Sequence, residues 1–241
     1  MYLKTVQVLH EKINDYNQYP FTIPTIRSLE ELQLTNAVTF FVGENGSGKS
    51  TLLEAIADRC DFNVAGGGKN NLYNVHAAES VLGPLLRLSW MPTTNNGFFL
   101  RAESFYQFAS HLDKLQEEDK RTLDAYGGKS LHEQSHGESF FSLFNNRFNG
   151  NAIYLLDEPE AALSPQRQLA LLKIMHDLVR EGSQFIIATH SPILLGFPNA
   201  TIYHFNETIE EMAYEDVPHV QLTKYFLTNK ERFLHQLFKE E

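Results

Sequence analysis

Cysteine is nearly missing from this chain of 241 residues. The single thiol, Cys60, excludes an intramolecular disulfide and any metal site built on cysteines. No stretch approaches the ~20 consecutive apolar residues that a membrane span needs, so no membrane partner is expected. The first residues, Met1-Tyr2-Leu3-Lys4-Thr5-Val6, alternate like a strand and lack the apolar h-region of a signal peptide. A cytoplasmic location is the expectation. Basic clusters are absent as well: 20 lysines and arginines face 30 acidic residues, for a net charge of −10, and they are scattered. The charge does not support a nucleic-acid partner, although a local patch formed in a dimer stays open. Internal repeats and low-complexity segments are also lacking. At this length and 42% hydrophobic content, a single α/β domain over residues 1–241 with an insertion is expected.

What is present begins at residue 43. Gly43-Glu44-Asn45-Gly46-Ser47-Gly48-Lys49-Ser50-Thr51 is a complete G-x-x-x-x-G-K-[ST] phosphate-binding loop. The apolar run Val38-Thr39-Phe40-Phe41-Val42 leads in as a strand, and residues 50–59 lead out as a helix. Glycines let the backbone curl so that successive N–H groups face phosphates, and the helix N-terminus favours negative charge. Lys49 is placed to reach the β/γ-phosphates of ATP, and Ser50 to ligate Mg²⁺.

Elsewhere, residues 2–9 read as a strand and 66–71 as a glycine-rich break. Residues 85–91 and 98–101 read as two strands joined as a hairpin around Asn95-Asn96-Gly97. A helical insertion is expected over about 103–150, with one helix closed by Gly127-Gly128 and a second starting near Glu138. Short apolar strands follow at 153–156, 185–188 and 201–205, as parallel strands buried on both faces should be. Between the first two lies a helix over 165–180, with Pro165 in its first turn and Gly182 after its end. The tail, about 218–241, reads as one or two helices with Leu227, Phe233, Leu234, Leu237 and Phe238 as a docking face.

The strand Ile153-Tyr154-Leu155-Leu156 ends in Asp157-Glu158-Pro159. A phosphate-loop ATPase needs one carboxylate to hold Mg²⁺ and often a second to polarise water, and adjacent side chains at a strand end diverge enough to do both. Asp157 serves the metal and Glu158 the water. The next apolar strand ends in Thr189-His190-Ser191-Pro192, where an imidazole can reach the γ-phosphate. Gln134-Ser135-His136-Gly137-Glu138 reads equally as a second anion site or as an ordinary helix cap beside a glycine.

In this order, these motifs resemble the Walker A, signature, Walker B, D-loop and H-loop of an ABC-type ATPase head, over about residues 36 to 205. The resemblance implies a P-loop fold with a mostly parallel central sheet, flanking helices, an N-terminal antiparallel β portion and a helical insertion. It implies ATP and Mg²⁺ as cofactors, and a homodimer formed on ATP binding. Glu158 would then be the general base, and Ser135 and Gly137 would contact the partner's γ-phosphate. The signature Gln134-Ser135-His136-Gly137-Glu138 and the D-loop Ala161-Ala162-Leu163-Ser164-Pro165 depart from transporter heads, and the Asp157-to-Pro165 and Thr189-His190-Ser191-Pro192 forms instead resemble soluble SMC-like and overcoming-lysogenization-defect-like ATPases. No glutamine-loop motif is evident; Glu103 or Gln107 stands in for it, with Glu103 counted among the metal-side residues beside Ser50 and Asp157. Tyr19 and Phe21 are the candidates for an adenine-stacking aromatic.

The stretch from Thr51 to Ser135 is too short for long coiled-coil arms, and the residues after His190 are too few for a nuclease domain. The expected role is therefore an ATPase that drives or regulates a separate protein effector. The alternatives are the nucleotide-binding subunit of a transporter and a non-hydrolysing switch or scaffold, in a setting such as DNA repair or phage defence.

Overall fold

The computed structural model describes residues 2–63, 67, 80–118, 130 and 136–239. The chain opens with β1 (Leu3–Val8), the short helix α1 (Pro24–Ser28), β2 (Glu31–Gln33), β3 (Val38–Gly43) and α2 (Lys49–Arg59). Next come β4 (Leu86–Trp90), β5 (Gly97–Arg101), and the helices α3 (Phe105–Glu118) and α4 (His136–Arg147). The pairs β6 (Ile153–Asp157) with α5 (Pro165–Arg180) and β7 (Gln184–Ala188) with α6 (Pro192–Leu195) follow. Strands β8 (Thr201–Phe205) and β9 (Ile209–Glu211) and helices α7 (Pro218–Thr228) and α8 (Lys230–Leu237) complete it. Among the described residues no helix is long and apolar enough to cross a membrane.

The central sheet has the order β5-β6-β7-β3-β8-β9 and is parallel except for β9 at its edge. Strands β3, β6 and β7 are buried at every residue, as the apolar runs require of strands covered on both faces. The period of two sorts them. Phe40 and Val42 join Tyr154, Phe185 and Ile187 in one core with α3, α4 and α5. Phe41 joins Leu155, Ile186 and Phe205 in another with α2 and the second sheet. That second sheet, β2-β1-β4, is antiparallel. The fully buried Gln184 carboxamide stitches the two sheets together: it accepts from Tyr2 and Leu3 N–H at 2.9 Å and donates to the Leu3 carbonyl at 2.8 Å.

The expected hairpin does not form. Strand β4 pairs with β1, while β5 enters the central sheet beside β6. The burial patterns supply the reason. In β4 only Leu86 is fully buried and the rest are partly or fully open, which suits a sheet with one wet face. Phe98, Phe99 and Leu100 are buried in succession, which demands cover on both sides. Gly97 permits the entry, since a Cβ there would stand 2.3 Å from the Ile153 carbonyl oxygen.

The tail differs too. Two helices form, but most of the expected docking face does not dock: Leu227, Leu237 and Phe238 are exposed, while Phe233 and Leu234 are half-buried and Phe233 packs edge-on against Tyr225 and Phe226 of the neighbouring helix. An amphipathic period announces an apolar face without saying whether anything covers it. The helical insertion appears as α3 and α4; its Gly127-Gly128 terminator lies outside the described residues. Of the 66–71 break only Gly67 is described, and it bridges to Phe99.

Candidate nucleotide and metal site

Strands β3, β6 and β7 lie side by side, and their carboxyl ends bring the loop glycines, Asp157-Glu158 and His190 to one edge of the sheet. Ligands of open parallel sheets bind at that edge. Two glycines of the loop are sterically required. A Cβ on Gly43 (φ +145) would stand 2.2 Å from the Phe205 carbonyl oxygen, and one on Gly48 (φ +98) 2.9 Å from Thr25 Oγ1. At the crest, a Cβ on Gly46 would meet nothing within 4 Å, so the loop is open to a ligand. Glu44 and Asn45 are exposed beside it.

Lys49 is buried and its ammonium donates to the carbonyls of Gly43 at 2.7 Å and Glu44 at 2.8 Å. Burial pushes its pKa down, against the pull of Glu158, Asp157, Glu44 and Glu160. The Ser47 hydroxyl is buried without a hydrogen-bond partner. A confined cation and an orphaned hydroxyl under an open loop fit a triphosphate.

Ser50 Oγ donates to Asp157 Oδ1 at 2.9 Å. Burial pushes the Asp157 carboxyl up to about 7, although the Ser50 hydrogen bond and Arg101 pull it down. A hydroxyl and an undercompensated carboxylate in contact form a hard-oxygen pair suited to Mg²⁺, which retains waters and binds through few protein ligands. No cluster of three or more His, Cys, Asp or Glu able to hold a metal occurs among the described residues. The donor set therefore fits a nucleotide-bound Mg²⁺ rather than an all-protein cage.

Arg101, at the end of β5, lies in register with Asp157 and was not singled out by the motifs. Its guanidinium pairs with Glu54 at 2.6 Å and Glu103 at 2.7 Å, with Asp157 at 3.6 Å. Glu103 is thus held in an ion pair with its side chain 78% exposed, and the structure does not bring it against Ser50. The side chain of Gln107 lies outside the description. The two aromatics separate cleanly: Phe21 is buried in the core, whereas exposed Tyr19 places its hydroxyl 3.1 Å from Thr51 Oγ1.

Glu158 adopts φ +49, ψ +50, an uncommon conformation for a side chain that is not glycine or asparagine. Its N–H donates to the Ala188 carbonyl at 2.9 Å, and its carboxylate stands 3.8 Å from His190 Nε2. Both side chains are partly open to solvent. Behind them Glu160 accepts from the His190 backbone N–H at 2.6 Å. Burial pushes the Glu160 carboxyl up, while its hydrogen bonds to His190 and Thr189 pull it down. The sequence signal for it was its place in Asp-Glu-Pro-Glu, read there only as part of a motif. Ser191 caps α6 and donates to Gln168 at 2.5 Å, tying the histidine loop to α5.

On the signature side, Ser135 lies outside the described residues. Gly137 is the second residue of α4, and Glu138 next to it stands 3.9 Å from Arg167 of α5.

Comparison with known proteins bears on this geometry. A family model described as an AAA ATPase domain matches residues 135–195, and one described as an AAA domain matches residues 12–80. The chain is 26% identical over 204 residues to the macrolide export ATP-binding/permease protein MacB of Haemophilus ducreyi, covering 75% of this chain and 28% of that one. It therefore spans little more than a quarter of that relative's length. Among solved structures, an ATP-binding cassette of an ABC transporter in its ADP conformation superposes with a TM-score of 0.52 at 17% identity, over 99% of this chain and 100% of the other. CbiO1 from Clostridium perfringens, part of the ABC transporter complex cbiONQ, superposes with a TM-score of 0.51 at 18% identity, over 98% of each.

Proposed function

We propose, for a chain with the fold of the ABC-type ATP-binding cassettes and AAA ATPase matches over both its motif clusters, that it binds ATP with Mg²⁺ and hydrolyses it between two copies of itself. The observation that carries this reading is the convergence of Lys49, the Ser50–Asp157 pair, Glu158 and His190 at one sheet edge. Lys49 and the loop N–H groups bind the phosphates. Ser50 and Asp157 hold Mg²⁺, which when bound neutralises charge on the phosphate oxygens. Glu158, partly open to solvent and 3.8 Å from His190, orients and deprotonates the attacking water. His190, anchored through its backbone by Glu160, contacts the γ-phosphate. Tyr19 is the better placed aromatic for the base.

The homodimer rests on the signature. Gly137 lies in the first turn of α4, whose N-terminus offers N–H groups to a phosphate of the opposite subunit, with Ser135 just before it in sequence. Gel filtration of Glu158→Gln with Mg²⁺ and ATP should show a shift to dimer that ADP does not cause. A monomer under all conditions would sink the sandwich, though not ATP binding.

A second reading draws on the relatives, whose names are those of transport ATP-binding proteins. Under it the chain would be the nucleotide-binding part of a transporter, and co-purification with a membrane protein would decide for it. The altered signature favours a soluble effector protein as the partner, the site itself being one for turnover rather than a silent scaffold.

A further inference from the structure

Beyond the last motif, α7 begins with Pro218 and His219, and His219 is not surface decoration. Its ring centroid lies 5.9 Å from that of His190, tilted by 54°. Its Nε2 is buried without a hydrogen-bond partner, and so is Nε2 of His190. The charged groups that reach it are those of the phosphate loop and its surroundings: Lys49 and Glu44, with His190 and His204 beside them. Burial, then His190, His204 and Lys49, push its pKa down, against the pull of Glu44. A neutral imidazole has one N–H to donate and tolerates the loop lysine nearby.

Neither imidazole nitrogen has a hydrogen bond within the chain, since the Glu158 carboxylate stands 3.8 Å from His190 Nε2, and a phosphate oxygen beside the two rings would supply the acceptor. Under the ATPase reading, on which this inference rests, the terminal phosphate of ATP is the group that enters there. It carries the oxygens, and ADP does not place one at that end. We infer that His219 contacts the γ-phosphate alongside His190, making the start of α7 a reporter of ATP against ADP. His190 comes from a strand end fixed by Glu160, whereas His219 comes from a helix pair in which only Val220 is buried. Occupation of the γ-phosphate position therefore fastens the C-terminal helices to the nucleotide site, and its loss releases them.

The test compares affinities for fluorescent AMP-PNP and ADP, with Mg²⁺, in the wild type, His219→Ala and His219→Gln. Hydrogen exchange over residues 218–228 is followed in parallel. A hydrogen bond to a charged group has a net worth that translates to roughly 10- to 100-fold in affinity. His219→Ala should therefore lose about that factor for AMP-PNP and almost nothing for ADP, with partial recovery in His219→Gln. Protection of 218–228 should rise with AMP-PNP and not with ADP in the wild type, and should vanish in His219→Ala. Equal losses for both nucleotides would make His219 a packing residue and overturn the assignment, as would no loss at all. A wild type that binds neither nucleotide would overturn the ATPase reading, and this one with it.

Discussion

The strand ends and the C-terminal helices stand on either side of His190 and are built on opposite rules. At the strand ends most polar groups are held from a different element: Ser50 by Asp157, the His190 backbone by Glu160, Ser191 by Gln168, Arg101 by three carboxylates. In α7 only Val220 is buried and in α8 nothing is, while Leu222, Leu227, Leu237 and Phe238 face solvent. A cavity of about 700 Å³, lined by Glu160, His190, Leu169, Leu172 and Leu227, runs between the two regions. Chemistry that must hold sub-ångström geometry is cross-tethered, and the segment that would respond to it is left with few ties.

The most severe way to break the strand-end region is through Glu158. Replacement by Gln removes the proposed base while keeping shape and hydrogen-bonding length. Turnover should fall by roughly 10²- to 10⁴-fold, the usual contribution of a positioned general base. Nucleotide affinity should stay within a few-fold, because Lys49 and the loop are untouched. Steady-state phosphate release and equilibrium binding, measured on the same preparation, check both halves. Normal turnover would assign the base elsewhere.

The next effect is on stability, and its sign follows from Asp157. Its carboxyl is raised from 3.8 to about 7 by burial in the metal-free protein. Between those values the folded state keeps a proton that the unfolded state has lost. Stability is therefore fully present below about pH 4 and declines as pH rises through 7, by on the order of 4 kcal/mol for this group. Asp157→Asn cannot ionise and should lose most of that slope, becoming more stable than the wild type at pH 8 without Mg²⁺. Urea denaturation at pH 5 and pH 8 reads this directly. Identical slopes in the two proteins would mean that Asp157 is not the buried charge that matters.

These residues differ in how far a sequence exposes them. The loop 43–51 is legible because its chemistry is local: glycine, lysine and serine act within one turn of chain. Asp157, Glu158 and His190 are legible because each ends an apolar run, and such runs are parallel strands whose ends meet. Arg101 is invisible by that route, since its role depends on the register that sets β5 beside β6. The same pairing undid the hairpin around Asn96: a turn signal fixes where a chain bends, while three buried residues in succession decide which sheet receives the strand. His219 follows the last motif and has no signature of its own; only the fold puts it against His190. The candidate site side chains were thus readable one by one, and the groups that set their charge and position were not.

The tail carries the smallest expected effect, and it sharpens the comparison most. An exposed apolar side chain gains little from folding, because its surface stays in water in both states. Leu227 is 72% exposed and Phe238 71%. The paired change Leu227→Ser and Phe238→Ser should therefore alter stability by less than about 0.5 kcal/mol, as expected of surface substitutions away from any packed feature. It should leave nucleotide affinity unchanged, since neither side chain touches the loop, Asp157 or His219. Thermal denaturation at two protein concentrations tells the outcomes apart. A small, concentration-independent change means that the face is uncovered in the free protein. A large loss at both concentrations would mean that the face packs within the chain. A loss only at the higher concentration would mean that a second copy covers it, and the tail would then join the assembled part of the molecule.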